Sequence, residues 1–310
     1  MMSKDIAINI AVILTCFNRK AKTLSCLEHL YAAQKVYNSQ NKQNINLAVY
    51  LTDDGCTDGT ADAVKTTFPN QEIHIQRSNG DLFWARGMNF SWQEAVKAPT
   101  KWDYFLMLND DTNMTEDCFL ELFTTQQYSI KTTGKKALVS GIIASKENHE
   151  EVTYGGEVLL TKFTAKLRRL TPTGEPQRCD MTNANILMVP RSLFDKIGFF
   201  YPYTHSCADS DYSVMAKRAS FPVYVTSQIC GYCDFDHWTK ADDREKIVKM
   251  TLKERKAYFN HPLHSNKDYL TMIRRIMPWR YPFVWFFRNM VVYAPSLYYK
   301  LTYGRYQNNE

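Results

Sequence analysis

No apolar stretch free of charge reaches about 18 residues, the length a helix needs to cross a bilayer, so no transmembrane helix is expected. Glycine and proline are sparse, 12 and 11 residues in 310, which excludes collagen-like and low-complexity classes. Internal repeats and long linkers are missing too. The eight cysteines (16, 26, 56, 118, 179, 207, 230 and 233) are scattered through a chain too long to need staples, so reduced thiols in a cytoplasmic protein are expected. Cys230-Gly-Tyr-Cys233 followed by His237 is half of a zinc site, but no second ligand pair stands at finger-like spacing, and structural zinc is not expected. Lys4 and the apolar run from Ile6 to Thr15 look like a short signal peptide. Asp5 and Asn9 interrupt it, and no small-residue cleavage site follows, so a buried first strand is expected instead.

What is present suits one large α/β body with an appendage. Apolar residues make up 45% of the chain, enough for a sizeable core. The net charge of +6 is uneven: from Lys240 to Glu310 there are 14 Lys/Arg against 6 Asp/Glu, so everything before that is slightly acidic. A general polyanion binder is thereby disfavoured, and a local patch facing phosphate or a membrane is favoured.

The first half alternates strand and helix: strands over 6–15, 47–52, 72–76 and 103–108, helices over 20–38, 59–68 and 84–97. Such alternation implies parallel βαβ units, whose ligands bind beyond the carboxyl ends of the strands. Polar clusters stand at three of those ends: Thr15–Arg19, Asp53–Asp58 and Asn109–Thr112. The second half is mixed. Strands are expected over 137–144, 152–160, 166–170, 185–189 and 222–226, a helical turn after Pro190, and helices over 209–219 and 241–260.

Asn109-Asp110-Asp111-Thr112 carries the clearest chemical message. Adjacent carboxylates at the mouth of a sheet repel each other unless a cation sits there, and hard oxygen ligands favour Mg²⁺ or Mn²⁺. A solvated turn with an Asp helix cap is the structural alternative.

In order, the chain reads I-A-V-I-L-T-C-F-N-R, L-T-D-D-G-C-T-D-G-T, N-G-D-L-F-W-A-R-G-M-N and F-L-M-L-N-D-D-T, then A-D-S-D-Y and F-D-H-W. Over roughly residues 6–265 this series resembles the inverting nucleotide-sugar glycosyltransferases of family 2, which have the GT-A fold. The resemblance implies a GT-A catalytic domain over 1–265, with a nucleotide-binding half (1–112) and an acceptor half (113–265), followed by a helical extension over 266–310. It implies that Thr15, Arg19, Asp54, Asn79, Trp84, Arg86 and Asp110 face the nucleotide and donor, with Asp54 accepting from a pyrimidine imide. Asp111 and His237 would hold Mn²⁺ or Mg²⁺. Asp209 would be the general base; Ala208 replaces the usual acidic residue before it, so the role stays open between Asp209 and Asp211. The N-G-D-L-F-W-A-R-G-M-N stretch is most similar to rhamnosyltransferase-type members, implying a UDP- or dTDP-hexose donor and a glycan or lipid-linked acceptor in bacterial surface-polysaccharide or lipooligosaccharide assembly.

From Met277 to Tyr306 aromatic and basic residues interleave, broken by Pro278, Pro282 and Pro295. That mixture suits an anionic membrane surface, so a peripheral position on the inner face of the cytoplasmic membrane is expected; packing on the core or on a second copy is the alternative. Nucleic acid is not expected as a partner. Two rival functions are a non-catalytic glycan- or membrane-binding relative that has lost its base, and a haloacid-dehalogenase-type phosphotransferase. The latter needs Asp-x-Asp-x-Thr, a register neither acidic cluster supplies.

Overall fold

The structure, a computed structural model, describes residues 7–161, 165–234 and 240–303. The chain forms two compact units: one runs from the N-terminal strand to Asp234, leaving out residues 205–207, and the other comprises those three residues and the chain from the next helix onward.

The first unit follows β1 (Ile8–Cys16), α1 (Lys20–Gln40), β2 (Ile45–Asp53), α2 (Thr60–Thr67), β3 (Ile73–Arg77), α3 (Phe83–Lys97), β4 (Tyr104–Leu108), β5 (Asn113–Met114) and α4 (Cys118–Thr133). It continues with β6 (Leu138–Ala144), β7 (Val152–Tyr154), β8 (Gly156–Thr161), β9 (Lys166–Arg169), β10 (Gln177–Arg178), β11 (Met181–Thr182), β12 (Ile186–Pro190), α5 (Arg191–Ile197), α6 (Ala208–Arg218) and β13 (Val223–Tyr232). Among the described residues ten strands make one mixed sheet along the path β10-β13-β6-β12-β4-β1-β2-β3, with β5 beside β13 and β7 beside β6.

Strands β1 to β4 are mutually parallel. β12 runs against both its neighbours, β4 and β6, and β13 runs with β6. The carboxyl ends of β1, β2, β3, β4, β6 and β13 therefore share one edge, where β12 begins.

Contiguous apolar runs explain the central strands, which are covered on both faces. Side chains alternate across β1. Ile10, Val12 and Leu14 join Leu27 and Leu30 of α1 and Phe119 and Leu122 of α4 in one core layer. On the opposite face Thr15 meets α3 at Gly87, where a Cβ would stand 2.3 Å from Thr15 Oγ1, so only glycine allows helix and strand this close. Trp92 of α3 anchors that second layer, fully buried among Phe105, Phe194, Phe199, Phe200 and Tyr212 at ring separations of 5.2–5.8 Å.

Two sequence expectations change. The strand expected over 152–160 breaks at Gly155, whose φ of +143° lies in a region open chiefly to glycine. Its first part pairs with β6 and its second joins the small sheet β11-β8-β9. The single helix expected over 241–260 is two helices, α7 (Lys240–Lys249) and α8 (Leu252–Asn260). Thr251 starts the second with a capping box: its hydroxyl accepts from the Glu254 N–H while the Glu254 carboxylate accepts from the Thr251 N–H.

The second unit continues with α9 (Asn266–Ile276), α10 (Tyr281–Tyr293) and α11 (Pro295–Tyr303). Among its described residues one buried cluster is Ile247, Phe259, Val291 and Val292, backed by Tyr258, Tyr298 and Tyr299, and Met272, Ile273 and Ile276 of α9 are buried too. Arg255 donates to the Val292 carbonyl at 2.6 Å and to that of Met250, tying the end of α10 to the α7–α8 corner. No described helix is long and apolar enough to cross a membrane.

Candidate functional site

The shared strand edge gathers the polar clusters because parallel strands end together. Beyond β1 the chain turns at Asn18, in the left-handed region at φ +51°. Its side-chain oxygen accepts from the Thr57 N–H at 2.8 Å, linking the β1 loop to the β2 loop. Asp53 fixes the latter by accepting from the Cys56 N–H at 2.7 Å. Gly55, at φ +76°, lies so close to the loop after β3 that a Cβ would stand 2.8 Å from the Gly80 nitrogen.

Asp54, almost wholly buried, accepts from the Ser78 hydroxyl and from the backbone N–H groups of Leu82 and Phe83, at 3.3 and 2.9 Å. Its carboxylate thus holds the entry to α3, where Phe83 sits at φ +58°. A carboxylate has about four acceptor positions, of which three are engaged here.

At the end of β4, the Arg19 guanidinium bridges the two neighbouring carboxylates, 3.2 Å from Asp110 Oδ1 and 2.9 Å from Asp111 Oδ2. The cation that adjacent carboxylates require is here an arginine from the β1 loop. Thr23 donates to Asp110 at 3.4 Å and the Cys233 thiol to Asp111 Oδ1 at 3.5 Å. Burial pushes the Asp110 carboxyl up to about 7, with Asp111 adding to the rise and Arg19 opposing it. Burial also pushes the Cys233 thiol up to about 12, reinforced by the Asp111 charge, which keeps it protonated at neutral pH.

Lys146, beyond β6, donates to the Asp111 carbonyl at 3.1 Å. Its loop is held by Asp234, which accepts from the Ser145 hydroxyl at 2.8 Å and the Lys146 N–H at 2.7 Å. Lys146 does not stand out as a site residue in the sequence, and Cys233 does so only within the half zinc motif; Cys233 comes to Asp111 through the pairing of β13 with β5, and Lys146 through the pairing of β6 with β13.

Trp84 donates its indole N–H to Asn109 Oδ1 at 2.8 Å and stacks on Phe200. Arg86 is exposed on α3 and donates to the Thr204 hydroxyl at 3.1 Å. Asn79, also exposed, donates to Asp81 at 3.1 Å. Thr15 faces Gly87 within the strand–helix contact. His237 lies outside the described residues.

β12 connects this rim to the second half of the chain. The Asn185 carbonyl, just before β12, accepts from the Asn109 N–H at 3.1 Å, and its amide donates to Thr112 at 3.2 Å. The adjacent Ala184 N–H donates to Asp209 Oδ2 at 3.3 Å, while the Ser210 N–H holds Oδ1 at 2.8 Å. Asp209 therefore stands at the amino end of α6, one residue of chain away from the partners of Asn109 and Thr112. Burial pushes its carboxyl above the usual carboxylate range, against the opposing pull of those two N–H groups and the Asn183 side chain. Asp211, on the same turn, is only 2% exposed.

The residues present suit a divalent ion. Two carboxylates already accept a positive group, and their hard oxygens match the preference of Mg²⁺ or Mn²⁺; among the described residues they do not gather a full ligand set by themselves. The eight cysteines are free thiols. The Sγ atom of Cys230 donates to Thr226 at 3.3 Å, while that of Cys233 faces Asp111, so each has a local partner.

Comparison with known proteins fits this arrangement. Among curated proteins none matches the sequence. The solved structure of TarS residues 1–349 from S. aureus superposes with a TM-score of 0.57 at 12% identity, over 98% of this chain and 92% of that one. The same protein in complex with UDP gives 0.56 at 13% identity, with the same coverage. The mannosyltransferase PcManGT from Pyrobaculum calidifontis, in complex with GDP-Man and Mn²⁺, gives 0.51 at 12% identity over 95% of this chain and 74% of that one. At such identities the likeness establishes the fold, which is GT-A-like. The family profile goes further, matching residues 11–177, more than half of the chain. With the acidic strand edge inside that span, the chain belongs to glycosyl transferase family 2 and is a glycosyltransferase.

Proposed function

We propose that this protein is a metal-dependent, inverting glycosyltransferase. It moves a hexose from a UDP- or dTDP-linked donor to a hydroxyl of a glycan or lipid-linked acceptor, in surface-polysaccharide or lipooligosaccharide assembly at the cytoplasmic membrane. One observation carries the reading: the Asp110–Asp111 pair, bridged by Arg19, shares its strand edge with Asp209 through Asn185.

Asp111 and His237 would hold Mn²⁺ or Mg²⁺, with Asp110 beside Asp111 contacting the donor. When bound, the ion supplies positive charge to offset that developing on the departing diphosphate. Arg19 and Lys146 add fixed cations beside the same oxygens, so no leaving-group acid is needed. Asp54, Asn79 and Arg86 hold the nucleotide, and Trp84, fixed by Asn109, walls the sugar pocket. Asp209 takes the proton from the acceptor hydroxyl as that oxygen bonds to the anomeric carbon. The bond from that carbon to the β-phosphate oxygen breaks on the opposite side, and the nucleoside diphosphate leaves with the electron pair. Asp209 suits this role better than Asp211: burial raises its basicity, whereas Asp211 is nearly inaccessible.

The experiment is donor titration and transfer assay with and without Mn²⁺. Asp209→Asn should lower turnover at least ~100-fold while leaving donor affinity nearly intact; undiminished transfer would remove the residue from the mechanism, and absence of transfer by the wild type would favour the non-catalytic reading. Asp111→Ala should abolish the Mn²⁺ dependence of nucleoside-diphosphate binding. Retained dependence would discard that ligand.

A further inference from the structure

One helix of the second unit is apolar on its unpacked side as well as its packed one. In α10 Val291 and Val292 lie in the core, yet Phe283, Phe286 and Tyr293 are 66%, 54% and 58% exposed. Their spacing of three and then seven residues aligns them on one helical face. Trp279 before the helix and Trp285, in line with Val292, are each about half exposed. Soluble proteins seldom leave large aromatics this concentrated in contact with water.

Along the sequence that carries them the charge has one sign, although Glu254 and Asp268 stand on the neighbouring helices α8 and α9. From Tyr269 to Asn309 the sequence has no Asp or Glu, but it contains Arg274, Arg275, Arg280, Arg288, Lys300 and Arg305. Arg280 lies 6.0 Å from the Trp279 ring and Lys256 sits 5.2 Å from that of Tyr293. Long cationic side chains beside aromatic rings can reach phosphates while the rings enter the acyl boundary.

We propose that the Phe283–Phe286–Tyr293 face of α10 lies flat in the headgroup layer of an anionic bilayer, with the surrounding cations on lipid phosphates. At 13 residues, α10 is about 20 Å long and cannot span the membrane. A second copy fits poorly, because a two-fold contact sets a patch against itself, and this one would oppose cations with cations. The inference stands on observations separate from the transfer reaction.

The test is co-sedimentation of the full chain with phosphatidylcholine vesicles, with or without about 30% phosphatidylglycerol, at low and high salt. Wild type should pellet with anionic vesicles, much less with neutral ones, and less as salt rises. Phe283→Ser/Phe286→Ser/Tyr293→Ser, checked for an unchanged melting temperature, should partition at least about tenfold more weakly, since lost apolar area weakens insertion. Brominated lipids should quench tryptophan fluorescence in the wild-type protein, a reading that needs no variant. Asp209→Asn should bind vesicles as wild type does, whatever its turnover. Absence of vesicle binding, binding unaffected by the triple variant, or a patch-dependent dimer or RNA complex in place of vesicle binding would each overturn the proposal.

Discussion

The two compact units solve opposite problems. The first covers its central strands on both faces, buries Trp92 completely and keeps its functional polar groups at one sheet edge. The second, among its described residues, buries Ile, Val and Met side chains with Phe259 and leaves larger aromatics such as Trp279 and Trp285 about half exposed. Where side chains are fully enclosed, close packing sets position, and the three loops at the strand ends inherit that order. Where rings stay in water, removing them costs the fold little, which is why the proposed bilayer contact rests on them.

The largest contrast should come from Trp92→Ala. Emptying the centre of the aromatic layer should cost about 3–5 kcal/mol, measured by denaturant unfolding, and should reduce transfer because Phe200 and Tyr212 lose their support. A loss below about 1 kcal/mol would mean that this layer collapses around the gap, and the contrast with the second unit would weaken.

Asp209→Asn should act on stability with the opposite sign. The folded-state carboxyl titrates above its unfolded value of about 3.9, so the folded protein binds the proton more tightly. The ionised group therefore costs stability progressively as pH rises from about 4 through the raised folded value, and the cost is complete above it. Asparagine avoids that cost. The variant should melt at or above the wild-type temperature at pH 7–8, with the advantage gone near pH 4. A lower melting temperature at neutral pH would show that the carboxylate's N–H contacts outweigh its burial.

The smallest effect is expected outside. Phe286→Ser should change unfolding free energy by no more than about 0.5 kcal/mol, as surface substitutions usually do. A loss near that of Trp92→Ala would make α10 a structural helix and erase the distinction between the two units.

Much of this was legible in the residues. The strand ends at Cys16, Asp53 and Leu108 follow from unbroken apolar runs closed by polar clusters, and parallel strands bring those clusters to one edge. The division of α7 from α8 also had a local signal, the Thr251-x-x-Glu254 capping box, overlooked because charged helical spacing continues across it. Gly155 offered less, since a glycine within an apolar run does not announce which φ it adopts. At the site, the acidic pair was visible as a motif, but its partners were not. Arg19, Lys146 and Cys233 reach Asp111 across 92, 35 and 122 residues of sequence, distances that only the sheet order closes.

β12 carries a consequence for how such an enzyme can diversify. Every strand beside it arrives at the rim and departs into a helix or loop, whereas β12 sets out from there. The residues just upstream of it, Ala184 and Asn185, therefore stand at that rim, where they meet Asp209, Asn109 and Thr112. A change in that short approach thus touches the loop after β4 and the start of α6 together.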